Sequence, residues 1–368
     1  MPDPRLVDDA ERLGLELLPV AERGTSGRVN RDLVTALGAA GLFEQLFAED
    51  GVTATELCQV RQGLARSSTE AEAAFAVQGL GGVPIHLFGS ETMKARWMPG
   101  IRSGAAVAAF ALTEPGAGSD AANLAMTAER DGDGYRLTGE KTYISNAPDA
   151  DVAAVFARTT PGAGSRGVTA FAVPIELDGV SGSTIEMISP HPLGRWVFDG
   201  ALVPAESVLG EVDHGFRVAM TTLDLFRPSV GALAVGMAEA ALRIAVDHAA
   251  SREAFGSPIS EFQGVSHQLA DVRVGIEAAS HLVYSAAATY DSGDRGTLTA
   301  RSAMAKLAAT ETAQEAVDVA IQVLGARGLE ADSTLAHLYK EVRAPRIYEG
   351  TSEIQRNIIA RELFRGRI

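Results

Sequence analysis

Near the C-terminus a carboxylate stands against a glycine, between an aromatic and a hydroxyl, in Arg346-Ile347-Tyr348-Glu349-Gly350-Thr351. Behind it, Ile354, Ile358, Ile359 and Leu363 repeat at helix spacing, so Glu349 belongs to a sharp turn that feeds a final helix. Taken alone this is a surface turn with a solvated Glu; the rest of the chain gives it chemical weight. In Phe110-Ala111-Leu112-Thr113-Glu114-Pro115-Gly116-Ala117-Gly118-Ser119-Asp120, two glycines let the backbone approach a ligand closely. Exposed amides there, with the Thr113 and Ser119 hydroxyls, can cradle phosphate or ring heteroatoms, although an ordinary Gly-rich strand–loop reads the same way. No strand–GxGxxG–helix unit surrounds it, so it is not a dinucleotide fingerprint of that kind. Tyr143 and Ser145 stand two apart, hence on one strand face, where an aromatic covers a ring and a hydroxyl bonds a ring nitrogen. A plain half-buried strand fits them equally. Arg252 carries a fork that matches phosphate oxygens, or is a helix-end Arg facing solvent.

Three segments must position these residues. Residues 1–104 read as helices on periodicity. Leu6 to Leu18 closes at Pro19, and Leu33, Leu37, Leu42 and Leu46 mark a helix interrupted by Gly41. Thr53 with Glu56 has capping-box spacing, Ala71 to Val77 suits a buried helix, and the helix begun at Ser90 ends at Pro99-Gly100. Residues 105–213 read as a mostly antiparallel β domain: an apolar run from Ala105 to Leu112, alternation around Tyr135 and Leu137, and β-type runs at Val152 to Ala157 and Val168 to Val173. Residues 214–368 return to helix period, with long helices ending at Asp291-Ser292-Gly293-Asp294 and at Gly325, as in a four-helix bundle.

Composition narrows the classes. The 368 residues are 46% hydrophobic, enough for a large core and more than one domain. The net charge of −15 disfavours general nucleic-acid binding, which needs a basic footprint. One cysteine, Cys58, excludes an internal disulfide framework and a cysteine-based metal cluster, and no metal site is expected. No apolar run approaches the roughly 20 residues of a membrane span. Met1-Pro2-Asp3-Pro4-Arg5 shows no secretory head, so a cytoplasmic protein is expected.

In this order and at these separations, the motifs resemble the acyl-CoA dehydrogenase family over essentially the whole chain. The strongest parts are Leu112 to Asp120 and Tyr348 to Arg356. The resemblance implies an α+β fold: an N-terminal helical domain, a middle β domain and a C-terminal four-helix bundle, with FAD as cofactor. Phe110, Leu112, Thr113, Gly118 and Ser119 match flavin-contacting positions. Tyr143 matches an aromatic, commonly Trp, over the ring, and Ser145 a hydroxyl, commonly Thr, that meets the flavin N5. Arg252, Phe255, Gln322, Gly325 and Ala326 match positions that reach the FAD of a neighbouring subunit, which implies a homo-oligomer, dimer or tetramer. Thr351 and Glu353 match positions near the adenosine part. Ser119, Arg227, Tyr348 and Gly350 are expected at the acyl thioester. Glu349 matches the catalytic base, which takes the α-proton while a hydride leaves the β-carbon for the flavin; the enolate oxygen meets the base's own backbone amide and a ribityl hydroxyl. Some relatives carry the base just before the Arg that Arg227 matches; here that residue is Phe226, which leaves Glu349 alone in the role. An apolar pocket is expected to raise its pKa.

The chain departs from the pattern at Gly325-Ala326-Arg327-Gly328, where relatives have Gly-Gly-x-Gly, and at Arg195-Trp196-Val197, where they have a longer hairpin with hydroxyls that help hold the nucleotide end of coenzyme A. Neutral loop shortening explains the second; so does a carrier other than coenzyme A. The short, Ala-rich chain is similar to the dehydrogenases of bacterial polyketide pathways that make methoxymalonyl-type extender units. The leading expectation is therefore a dehydrogenase of a short, polar acyl group on an acyl carrier protein, with a docking patch near Arg195 or Arg166 and a substrate mouth beside Trp196. The competing readings are a short-chain acyl-CoA dehydrogenase of fatty or amino acid breakdown, a flavin monooxygenase on the same fold, and a flavin-binding scaffold with a dead site. The electron acceptor is not legible.

Overall fold

The structure, a computed structural model, describes residues 4–49, 51–366 and 368. The first three residues of the segment expected to lack a secretory head therefore lie outside the described residues. Helices come first: α1 (Pro4–Ala21), α2 (Arg31–Ala39), α3 (Leu42–Leu46), α4 (Ala54–Ala65), α5 (Thr69–Phe88) and α6 (Glu91–Ser103). Their starts follow the local chemistry. Thr53 and Glu56 close a reciprocal capping box on α4, and Ser90 Oγ accepts from the Met93 N–H at 3.3 Å. Gly41, at φ 83°, separates α2 from α3.

Two expected stops are corrected. α1 runs through Pro19 to Ala21, because a proline in the last turn removes one hydrogen bond without ending the helix. α6 runs through Pro99-Gly100 and stops at Gly104, whose φ of 76° supplies the left-handed cap.

Strands follow: β1 (Ala108–Ala111), β2 (Thr127–Asp131), β3 (Gly134–Ser145), β4 (Val152–Arg158), β5 (Val168–Pro174), β6 (Val180–Thr184), β7 (Leu193–Pro204) and β8 (Val208–Leu209). They form one mostly antiparallel sheet in the order β6-β7-β3-β2-β4-β5-β8, with β1 parallel to the first half of β4. Buried Val152 to Ala157 and Val168 to Val173 put the sheet's core between two apolar faces.

Next come α7 (Gly215–Ser251), a short hairpin of β9 (Glu253–Ala254) and β10 (Ser257–Pro258), α8 (Gln263–Asp291), α9 (Leu298–Leu324), α10 (Thr334–Glu341) and α11 (Ser352–Phe364). α8 and α9 end where the sequence marks them, the latter at Gly325 with φ 62°. Small residues let these helices close up: a Cβ at Gly231 would lie 2.6 Å from Val283 Cγ2. The expectation of no spanning run needs one amendment. α7 is long and apolar enough to cross a membrane by length and composition, but 72% of its apolar window is buried inside the protein, as in a core helix.

Packing divides the chain into two compact units that do not follow chain order. One comprises Met1–Glu16, Thr53–Glu72 and Asp224–Ile368; the other comprises Leu17–Val52 and Ala73–Leu223.

Candidate active site

The first unit holds Glu349. It adopts φ 50°, left-handed for a residue with a side chain, and Gly350 follows at φ 94°. Such a backbone persists only where its surroundings hold it. Here α9 holds it from two points. The buried Lys306 Nζ donates to the Tyr348 carbonyl at 2.7 Å and to the Gly350 carbonyl. One turn on, Glu311 takes Arg346 Nη2 at 2.7 Å and the Ser352 hydroxyl at 2.7 Å, pinning both flanks. Gln355 Nε2 adds bonds to the Glu349 and Gly350 carbonyls at 3.3 and 2.9 Å. Thr351, expected at the cofactor, caps α11 through its Oγ1 and the Ile354 N–H, and exposed Glu353 sits in the first turn.

Glu349 is half-buried as a residue, but its Oε2 is shut off from solvent and has no hydrogen-bond partner among the described residues. Burial pushes its carboxyl above the ordinary range, opposed by the positive charges of Arg61, Lys306 and Arg227 and reinforced by Glu72. Burial also brings Lys306 down to about 8, with Glu349 opposing the fall and Arg227 adding to it. Arg227 bonds Asp224 at 2.9 Å, and its neighbour Phe226 is wholly buried, so no second carboxylate stands at that position. Tyr348 is part-exposed.

Sequence reasoning missed Lys306, Arg61 and Glu72. Arg61 Nε meets Glu72 Oε1 at 2.5 Å and Arg61 Nη1 meets the Ser229 hydroxyl at 2.7 Å, all buried. The missed signal was a charge on a buried stripe, since Lys306 falls in register with Ala303, Ala309 and Ala313. Elsewhere in this unit, Arg252, Phe255, Gln322, Gly325 and Ala326 are all exposed. Phe255 is entirely so, at φ 52°. His248, lowered by burial and then by Arg327 and Arg252, marks the Arg252 loop and the Gly325 turn as neighbours.

The second unit holds the remaining expected residues. Buried Glu114 anchors the glycine loop: its carboxylate accepts Lys141 Nζ at 2.7 Å and the Ala125 and Met126 amides at 2.5 and 3.1 Å. Lys141, lowered to about 8 by burial, also donates to the Leu112 carbonyl at 3.1 Å. The Thr142 N–H meets the Thr113 carbonyl at 3.0 Å, and Phe110 packs on Phe156 with centroids 4.9 Å apart. What projects is a rim of exposed backbone: Gly116, Gly118 and Ser119, with open space where either glycine would carry a Cβ.

Tyr143 is 59% exposed, held out by its left-handed φ of 53°. The pairing of β3 with β7 shifts register between Lys141 and Ile144, so the simple two-residue alternation expected to link Tyr143 with Ser145 is broken there. Ser145 itself is half-buried and pairs with Leu193. An exposed ring beside a strand, together with an open glycine rim whose frame is fully bonded, fits a flavin. Trp196, beside which a substrate mouth is expected, is buried within β7 at 193–204 and lines a cleft with Arg28, Arg31, Asp149 and Gly182.

Three family models cover most of the chain: the acyl-CoA dehydrogenase N-terminal domain at 10–105, middle domain at 109–201 and C-terminal domain at 213–364. The chain belongs to the acyl-CoA dehydrogenase family. Among relatives, the mitochondrial short-chain specific acyl-CoA dehydrogenase of Sus scrofa is 40% identical over 285 residues, 77% of this chain and 69% of that protein. Among solved structures, butyryl-CoA dehydrogenase of Megasphaera elsdenii aligns at TM-score 0.90 and 32% identity, over 99% of each chain. PigA with FAD and proline aligns at 0.91 and 28%, over 98% of this chain and 97% of that one. Like its family, the chain has helical, β and helical domains in that order and is an FAD-dependent oxidoreductase acting on acyl thioesters.

Proposed function

We propose that Glu349 abstracts the α-proton of a short, polar acyl thioester, carried on an acyl carrier protein in polyketide extender-unit (methoxymalonyl-type) biosynthesis. The observation that carries the assignment of the base is the Glu349 Oε2 atom, buried with no donor beside it. Burial without a hydrogen bond raises the carboxyl above its ordinary range, and a base so raised holds an abstracted proton more firmly than a solvated carboxylate does. Arg61, Lys306 and Arg227 keep the carboxylate accessible by limiting that rise. FAD, when bound, supplies the acceptor for the β-hydride. Phe226 offers no alternative base, and the presence of Glu349 argues against an oxygen-inserting enzyme.

The polar acyl group is read from Arg61 and Glu72, a buried ion pair bonded to the Ser229 hydroxyl, both of whose charges act on Glu349. A pocket meant only for hydrocarbon has no use for such a pair, because burying ions costs free energy. The carrier rests on the unbroken β7 strand, which offers no hydroxyl-bearing loop for the nucleotide end of coenzyme A. Arg166 and Arg217 line a cleft with Asp213, His214, Phe216 and Met220, which puts two arginines beside one carboxylate on an acidic chain. The exposed Phe255 side chain is read as a subunit contact in a homo-oligomer. A cytoplasmic location is part of the same proposal.

The similarity to short-chain acyl-CoA dehydrogenases favours a second reading, with coenzyme A as the carrier. The test offers one acyl group on carrier protein, on coenzyme A and on pantetheine alone, with anaerobic flavin bleaching as the readout. The carrier-protein form is expected to bleach fastest. Bleaching by the coenzyme A form alone contradicts the carrier and leaves the second reading.

A further inference from the structure

Lys306 does more than fill a hole in the bundle. It is 1% exposed, and its ammonium is spent on two backbone carbonyls, those of Tyr348 and Gly350, on either side of Glu349. A buried ammonium is costly, and a methionine would fill the same volume. What the charge adds is direction. The peptide joining 348 to 349 is planar and trans, so its carbonyl and its N–H point opposite ways. Fixing the Tyr348 carbonyl on Lys306 therefore turns the Glu349 N–H away from α9. That N–H meets no acceptor among the described residues, so it remains available to a ligand. A charge-assisted bond on the carbonyl also polarises the peptide and makes its N–H a stronger donor.

We propose that Lys306 is the positioning residue of the oxyanion donor: through the 348–349 peptide it aims and strengthens the Glu349 N–H toward the thioester carbonyl. The proposal rests on the reading of Glu349 as the site's base, and its test separates the two. The probe is a crotonyl pantetheine thioester labelled with 13C at the carbonyl, bound to the FAD-loaded protein and read by infrared difference. A donor on the carbonyl lowers its stretching frequency. In Lys306→Met that downshift is expected to shrink. α-Proton exchange of a 3-thia acyl thioester, which has no β-hydride to lose, is expected to slow by roughly 10²–10³-fold, the usual loss for one oxyanion donor. Glu349→Gln, which keeps the backbone N–H, is expected to keep the downshift and lose the exchange.

Should Lys306→Met fail to fold, the unaltered protein gives the answer. The groups acting on Lys306 are Glu349 from the turn and Arg227 from α7. With the Lys306 ammonium losing its proton near 8, the downshift is expected to weaken as pH rises through that value. A downshift unchanged in a folded Lys306→Met, or unchanged across that pH range in the parent, overturns the proposal. Exchange surviving in Glu349→Gln would instead overturn the base.

Discussion

At the scale of single residues, the chemistry turns on ionisable groups taken out of water and only partly compensated. Glu349 gains three cations in its field but no hydrogen bond on Oε2. Its folded-state pKa lies above the unfolded value, so the native protein holds its proton more tightly. Stability from this group is present below the unfolded pKa and is lost as pH rises through the folded value. Glu349→Gln removes that loss. Its melting temperature relative to the parent, measured with FAD bound, is expected to climb as pH rises above the ordinary carboxylate range. A difference that stays flat with pH contradicts the buried, ionising carboxyl. Glu349 itself is legible in the sequence because a Glu-Gly turn before a helix is a local pattern. Lys306 is not, because its partners are backbone carbonyls 42 and 44 residues away that no side-chain pattern announces.

At the scale of elements, caps and periodicity account for the helices, and prolines mislead. Thr53, Ser90, Gly41 and Gly325 do locally what their types favour. Pro19 and Pro99 do not end their helices, because tertiary packing outweighs one missing hydrogen bond. The Tyr143 bulge was hidden for a related reason: alternation reports a strand, not the residue at which its backbone turns left-handed. Elements also fix the glycine loop. Gly81 on α5 lies against the start of β1, where an added Cβ would sit 2.4 Å from the Ala109 nitrogen and 2.6 Å from the Ala108 carbonyl carbon. Backbone atoms cannot swing aside. Gly81→Ala is therefore expected to cost about 1–3 kcal/mol of stability by denaturant titration. It is also expected to weaken FAD binding, because β1 leads directly into the loop at Leu112. Unchanged stability would show that α5 and β1 do not pack as described.

At the scale of the whole molecule, each unit carries one part of the chemistry. One holds the base, its cations and the clamped turn; the other holds the glycine rim and the projecting ring of Tyr143. Chain order hides this, since residues 53–72 pack with the C-terminal helices while their neighbours on either side do not. The net charge of −15 leaves anion recognition to local groups such as Arg166 and Arg217, whose surroundings only the fold reveals. The most direct measurement is the single-turnover rate of anaerobic flavin bleaching by a short acyl thioester, in the parent and in Glu349→Gln at equal FAD occupancy. The variant is expected to be slower by roughly 10²–10⁴-fold, the share a positioned general base supplies. Bleaching at the parental rate would show that the proton leaves by another group.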